Sequence, residues 1–190
     1  MQSIQEKWDE IYRQVGSRIP TPSLVLQQNS HLLPERGTAL DLACGRGGNA
    51  LFLAKAGLNV QAWDLSAIAI AELQNNADIN NLAVKTEVRD VTSRPPLANS
   101  VDVLVVSFFL ERPLCSELLA AIKPGGLLFY QTYCQQKVDR HGPSNPAYLL
   151  KENELLQLFS SMKVRVYREE ALAGNRTKGL RNQAILVAEK

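Results

Sequence analysis

The chain reads as an α/β protein built on one doubly wound, mostly parallel sheet. Three observations lead there: short apolar runs alternate with helical patterns from residue 39 onward, the first run opens into a glycine-rich turn, and three successive runs each end in an aspartate. Parallel neighbours need right-handed crossovers, so such alternation winds helices onto the faces of the sheet.

Ahead of the sheet, Ile4, Trp8, Ile11, Tyr12 and Val15 recur at helical spacing and predict an amphipathic helix over residues 4 to 15. Pro20, Pro22 and Pro34 punctuate the next segment, with a second helix between the last two. Strands are then expected near 39 to 43, 59 to 64, 84 to 89, 101 to 106 and 126 to 133, and helices near 48 to 57, 66 to 79 and 114 to 122. The turn Lys123-Pro124-Gly125-Gly126 should end the last of these helices and launch the fifth strand. After a helix near 151 to 160, the runs Met162 to Glu169 and Gln183 to Glu189 predict a terminal hairpin, turning at Gly174-Asn175 and Lys178-Gly179.

The stretch Ala39-Leu40-Asp41-Leu42-Ala43-Cys44-Gly45-Arg46-Gly47-Gly48 joins the first strand to its helix through a turn almost free of side chains. Small residues there let backbone approach a nucleotide-like ligand, and the following helix offers unpaired N–H groups. Ala43, Gly45 and Gly48 also fall at the spacing of a dinucleotide fingerprint, so the turn by itself leaves the cofactor open. Asp41, expected at the lip, would repel a pyrophosphate and attract a cation; its competing role is to cap the helix or the turn. Asp64 ends the second strand, where it can accept from ribose hydroxyls or cap the next helix, and Asp90 ends the third, where it can accept from an adenine amino group or serve as a solvated turn residue. Taken as a set, the three acids line one crevice at the carboxyl ends of the strands, the place where open α/β sheets bind ligands.

Composition narrows the class further. The 190 residues suffice for one domain with a sizeable core, and a net charge of +2 without single-sign blocks gives no nucleic-acid footprint. No apolar stretch reaches a membrane span and the start lacks the core of a signal peptide, so the expected compartment is the cytoplasm and no membrane partner is expected. Cys44, Cys115 and Cys134 are scattered, which suits reduced thiols and suggests neither disulfides nor a metal site.

The motif Asp41-Leu42-Ala43-Cys44-Gly45-Arg46-Gly47, with Asp64, Asp90-Val91 and the Lys-Pro-Gly-Gly turn at later expected places, resembles the class I S-adenosylmethionine-dependent methyltransferases. More narrowly, Asn49-Ala50-Leu51-Phe52-Leu53-Ala54, the Trp8 to Tyr12 segment and Asn175-Arg176-Thr177-Lys178 resemble the TehB-like tellurite-resistance methyltransferase group. Two positions depart from the pattern: Gly48 stands where this group usually has arginine, and Ala43 replaces the first motif glycine.

The resemblance implies a Rossmann-like seven-stranded sheet with an antiparallel last strand and the order 3-2-1-4-5-7-6. It implies a single domain in which residues 1–36 form a helical segment over the cofactor cleft and residues 37–190 the methyltransferase domain. It also implies that Asp41, Ala43, Cys44, Gly45, Gly47 and Asn49 hold the methionine end of S-adenosylmethionine, Asp64 and Leu65 the ribose, Asp90 and Val91 the adenine, while Ser107 and Phe108 line the methyl-transfer side.

Candidates for the acceptor side are Tyr12, Arg112, Tyr133, His141 and Arg181, each with a plain alternative in packing or surface charge. No catalytic residue is obligatory, because a thiolate or chalcogen oxyanion needs no base, whereas an amine or alcohol needs one. The expected function is methyl transfer to a small molecule, with S-adenosylhomocysteine as product. The alternatives are a nucleic-acid or protein methyltransferase and a binding module without turnover; the sequence Ser107-Phe108-Phe109-Leu110 lacks the Asn/Asp-Pro-Pro-aromatic signature of amino-group methylases of nucleic acids.

Overall fold

The computed structural model describes residues 3–15 and 20–190. Expectations touching Met1, Gln2, residues 16–19 and the side chain of Val15 lie outside the described residues.

Helices α1 (Ile4–Val15) and α2 (Leu24–Gln28) precede strand β1 (Thr38–Leu42). There follow α3 (Gly48–Lys55), β2 (Asn59–Asp64), α4 (Ala67–Ile79), β3 (Val84–Val88), β4 (Val101–Ser107), α5 (Cys115–Ala121), β5 (Ile122–Tyr133), α6 (Glu154–Leu158), β6 (Lys163–Glu169) and β7 (Gln183–Glu189). The seven strands form one sheet of order β3-β2-β1-β4-β5-β7-β6, parallel from β3 to β5 and antiparallel where β7 meets β5 and β6. Order and sense are those expected from sequence. No helix among the described residues is long and apolar enough to cross a membrane.

Alternation along the strands sorts the core onto the two faces. Leu40, Leu42, Leu104, Val106, Leu128, Tyr130 and Leu186 pack with Leu118 of α5 and Leu155 of α6. On the other face, Ala39, Val60, Ala62, Val103, Val105, Phe129 and Val187 meet α2, α3 and α4 through Val25, Leu51, Leu53 and Leu73. The central strands are apolar on both faces, as a covered parallel sheet requires.

The fifth strand starts at Ile122, earlier than the expected 126. Val101 pairs with Ile122 and Val103 with Leu127, so Lys123-Pro124-Gly125-Gly126 is an irregularity inside the strand and not a helix-ending turn. Gly125 is left-handed at φ +77, and a Cβ on Gly126 would stand 2.8 Å from the Asp102 carbonyl oxygen. Asp102 holds this corner by accepting from the Thr38 N–H at 2.7 Å and from Lys123 Nζ at 2.8 Å. At the end of the chain, β6 and β7 form the expected antiparallel hairpin, joined by a long loop that contains Gly174-Asn175 and Lys178-Gly179. Arg181 donates to the carbonyls of Glu170, Ala171, Asn175 and Lys178, which closes that loop around one guanidinium.

One buried bond links this frame to the loop at the end of β4. Tyr130, fully buried, donates its hydroxyl to the Phe109 carbonyl at 2.8 Å. Tyr130→Phe leaves that carbonyl unsatisfied, so it is expected to lower stability by about 1–3 kcal/mol, read as an earlier midpoint at unchanged slope in urea denaturation.

Candidate functional site

The carboxyl ends of β1 to β5 open into a cleft of about 1000 Å³, at the top of the roughly 300–1,000 Å³ range of small-molecule sites. The glycine turn after β1 forms its floor. Ala43 is left-handed at φ +53, as are Gly45 at φ +53 and Gly47 at φ +79. Ala43 therefore occupies a conformation that suits glycine better, which accounts for the motif glycine it replaces. A Cβ on Gly45 would stand 2.7 Å from the Tyr12 hydroxyl inside the cleft. A Cβ on Gly47 would strike Leu73 at 2.1 Å, so Gly47 faces α4 and does not line the cleft.

Asp41 corrects an expectation. Its side chain shares the face of Ala39, beneath α3, and is fully buried below the turn, away from the lip. Its carboxylate accepts from the Ala50 N–H at 3.0 Å and from Asn49 Nδ2 at 3.3 Å. The capping alternative is what the structure shows. Burial pushes the Asp41 carboxyl up to about 8, against the lowering effect of its two hydrogen bonds. Asn49 reaches the cleft in its place: its amide also donates to Ser107 Oγ at 3.1 Å and accepts from the Ser23 N–H at 2.7 Å.

Asp64 does line the cleft. It accepts from the Gly45 N–H at 2.8 Å and the Ser66 N–H at 2.8 Å. The helix-capping role falls instead to Ser66, whose hydroxyl accepts from the Ala69 N–H at 3.2 Å. Burial raises the Asp64 carboxyl above its ordinary value. Beside it are Leu65, Asp90 and Val91. Asp90 combines both expected places, since it borders the cleft and accepts from the Thr92 N–H and hydroxyl at 2.9 and 2.6 Å. Those Thr92 bonds hold its carboxyl below the ordinary range.

Helix α1 forms the opposite wall. Asp9 binds the N-terminal end of α4, accepting from the Ser66 hydroxyl and from the Ile68 N–H at 3.3 Å. This turns Trp8 and Tyr12 into the cleft. Burial first, then the neighbouring Asp64, Cys44 and Asp41, raise the Tyr12 phenol above its usual range, so it stays a protonated donor. Burial likewise raises the Cys44 thiol above its ordinary value.

Of the acceptor-side candidates, the structure brings Tyr12 and Tyr133 to the cleft together with Ser107 and Phe108. Arg112, His141 and Arg181 do not line it. Arg112 forms a fork with Glu154 at 2.6 and 2.9 Å and donates to the carbonyls of Ala147 and Leu149 at 2.7 and 2.9 Å. Arg181 is consumed by its loop, and His141 is exposed, with its ring edge-on to Tyr133 at 6.0 Å. The loop from Asp139 to Pro146 is more than a connector: Gly142 lies against the Tyr133 ring, 2.6 Å from a Cβ at that position, and Pro143 borders the cleft.

Residues missed from sequence are Ser23, Trp8, Glu111 and Tyr148, all on the cleft wall. Ser23 is the most telling, because its hydroxyl oxygen is buried and has no hydrogen-bond partner. A buried polar atom without a partner is uncommon, and this one lies on a residue that borders the cleft. The segment carrying it crosses close to α3, so that a Cβ on Gly48 would stand 2.3 Å from the Thr21 carbonyl oxygen.

A family model described as "Tellurite resistance protein TehB" matches residues 6–185. The chain belongs to the TehB family. Hemagglutinin 1 of Eikenella corrodens is 31% identical over 138 residues, covering 68% of this chain and 45% of that protein. The probable S-adenosyl-L-methionine-dependent methyltransferase TehB of Haemophilus influenzae strain KW20 is 31% identical over 86 residues, covering 44% of this chain and 30% of the relative. This chain thus spans less than half the length of either relative. The crystal structure of TehB from Haemophilus influenzae has the same fold, with a TM-score of 0.72 at 22% identity over 96% of this chain and 67% of that one. At Gly48, where the resemblance led to an expected arginine, the Thr21 carbonyl leaves no room for a side chain.

The titration of Asp41 yields a stability test. Its folded carboxyl lies at about 8 against an ordinary 3.8, so its contribution is fully present below about 3.8 and is lost as the pH rises toward 8. Asp41→Asn keeps an acceptor for the Ala50 N–H and removes the titration. Urea midpoints at pH 5 and pH 7.5 are expected to show wild type losing ground to the variant at the higher pH; parallel shifts would contradict the assignment.

Proposed function

We propose that this protein transfers the methyl group of S-adenosylmethionine to a small-molecule acceptor, a thiol or a chalcogen oxyanion, and releases S-adenosylhomocysteine. The reading is carried by Asp64, whose carboxylate braces the glycine turn through Gly45 while still bordering the cleft. Two accepted bonds leave lone pairs on its oxygens for a pair of ribose hydroxyls. Asp90 and Val91, which border the cleft together with Leu65, would receive the adenine. Gly45, Asn49 and the unpartnered Ser23 hydroxyl offer a close-approach floor and polar partners for an amino-acid tail. Helix α1, carrying Trp8 and Tyr12, covers this side and limits water access.

When bound, S-adenosylmethionine supplies a methyl group already activated on a sulfonium. The protein's remaining task is alignment and exclusion of water. The wall made by Ser107, Phe108 and Tyr133 does the aligning. Neither of the two histidines borders the cleft, and the Tyr12, Cys44 and Tyr133 protons are held more tightly than usual by burial. An acceptor that carries its own nucleophilic charge, such as a thiolate, fits a site of this kind better than an alcohol or amine that must first lose a proton.

Asp64→Asn preserves shape but removes the carboxylate charge, so S-adenosylmethionine is expected to bind about tenfold more weakly in calorimetric titration. Unchanged affinity would remove Asp64 from the site. Release of S-adenosylhomocysteine with a thiol acceptor separates an enzyme from a binding module.

A further inference from the structure

Helix α1 closes one side of the cleft without belonging to the core. Of residues 3–14, Asp9 and Tyr12 alone are half-buried, and all the others are exposed. Local bonds start the helix: the Glu6 N–H donates to Ser3 Oγ at 3.1 Å and the Ser3 N–H to Glu6 Oε2 at 2.7 Å. At 12 residues, α1 has a length at which an isolated helix is only marginally stable in water, so it depends on what its apolar face covers.

That face is aimed at the cleft. Ile4, Trp8 and Tyr12 follow one another at intervals of one helical turn, all three border the cleft, and the Trp8 and Tyr12 ring centroids lie 6.1 Å apart. Ile4 is 70% and Trp8 42% exposed, so the stripe has little protein against it. The Tyr12 hydroxyl reaches the glycine turn, where it would stand 2.7 Å from a Cβ on Gly45. A ligand in the cleft covers this stripe, and its apolar atoms supply the contact that the helix otherwise lacks.

The polar attachment of α1 to the rest of the protein runs, among the described residues, through Asp9 alone. One carboxylate oxygen of Asp9 accepts from the Ser66 hydroxyl and from the Ile68 N–H at 3.3 Å. The bonds from Arg13 and Gln14 to Glu10 stay within the helix. Ser66 is fully buried, and its N–H donates to Asp64 at 2.8 Å. Ser66 thus joins the attachment point of α1 to the carboxylate proposed for the ribose.

Resting on the S-adenosylmethionine reading of the cleft, we propose that Asp9 is a positioning residue that latches α1 over the bound cofactor, and that docking of α1 and occupancy of the cleft favour each other. In the free protein, the two bonds of Asp9 and the packing of Tyr12 oppose the entropy of ordering the segment by themselves. Cofactor adds contact along the Ile4, Trp8 and Tyr12 stripe, and it leaves once Asp9 has let go of Ser66. The coupling is reciprocal, so weakening the latch weakens cofactor binding, chiefly by speeding its departure.

The test uses the full chain with S-adenosylhomocysteine as the probe. Hydrogen exchange is expected to show the amides of residues 8–14 gaining at least about tenfold protection at saturating probe. Asp9→Ala is expected to weaken the probe about tenfold in calorimetric titration. The loss should lie in the dissociation rate, read by surface plasmon resonance, and the urea midpoint of the free protein should stay where it is, because none of the described side chains of α1 is buried. Asp9→Asn keeps an acceptor oxygen for Ser66 and Ile68 and is expected to recover most of the affinity. The proposal is overturned if α1 exchanges equally with and without the probe, if Asp9→Ala binds as wild type does or loses affinity through association, if its urea midpoint falls, or if Asp9→Asn binds no better than Asp9→Ala. The exchange comparison needs only the wild-type chain, so it decides whether or not a variant folds. A wild-type chain that gives no binding heat with the probe overturns the cofactor reading itself, a result that calorimetry separates from a bound cofactor with an indifferent α1.

Discussion

Asp64 accepts from the N–H groups of Gly45 and Ser66, each at 2.8 Å, and those two bonds tie together the turn after β1 and the start of α4. Both loops have to be held at the same height for a crevice to exist at the carboxyl ends of the strands. A carboxylate is suited to this because it accepts several bonds at once and leaves lone pairs pointing outward. Ser66 extends the bracing to α1 through Asp9, so the wall that carries Trp8 and Tyr12 depends on the same corner. The side chain that braces this corner also borders the cleft.

A second set of hydrogen bonds runs beneath the turn. Asp41 holds the Ala50 N–H and the Asn49 amide, and Asn49 in turn reaches Ser107 at the end of β4 and the backbone of Ser23. Strand β1, helix α3, strand β4 and the segment before α2 therefore share one polar centre. Burying a carboxyl there is costly, as its raised titration shows, and the gain is a fixed geometry for the groups above it.

On the acceptor side the recurring feature is the use of arginines as internal struts. Arg112, Arg89 and Arg181 each donate to two or more backbone carbonyls, and in doing so they shape the loops around the cleft; Arg112 and Arg181 do this without lining it. Planar guanidinium groups with five donors serve this purpose well. Neither Arg112 nor Arg181 lines the cleft, the reverse of what their places in the sequence suggest.

The alternation of apolar runs and helical patterns, the small residues of the turn and the aspartates at strand ends were enough to predict a doubly wound sheet and its crevice, because those depend on local periodicity and on the handedness of crossovers, whereas the strand order followed only from the family resemblance. The residues near the crevice were legible to the same degree: Asp64, Asp90, Gly45 and Ser107 lie at strand ends, and strand ends are visible in sequence. Which way a side chain turns was not. Asp41 lies one position from the core face of Leu40 and Leu42, and pleating sends it under α3 and away from the lip. Ser23, Trp8, Glu111 and Tyr148 meet across long sequence separations that no local pattern encodes, and Arg112 and Arg181 lose their charge to carbonyls that only the folded loops bring near. Periodicity is a property of neighbours along the chain, whereas the lining of a cleft and the commitment of its charges are properties of neighbours in space, and these the tertiary structure alone decided.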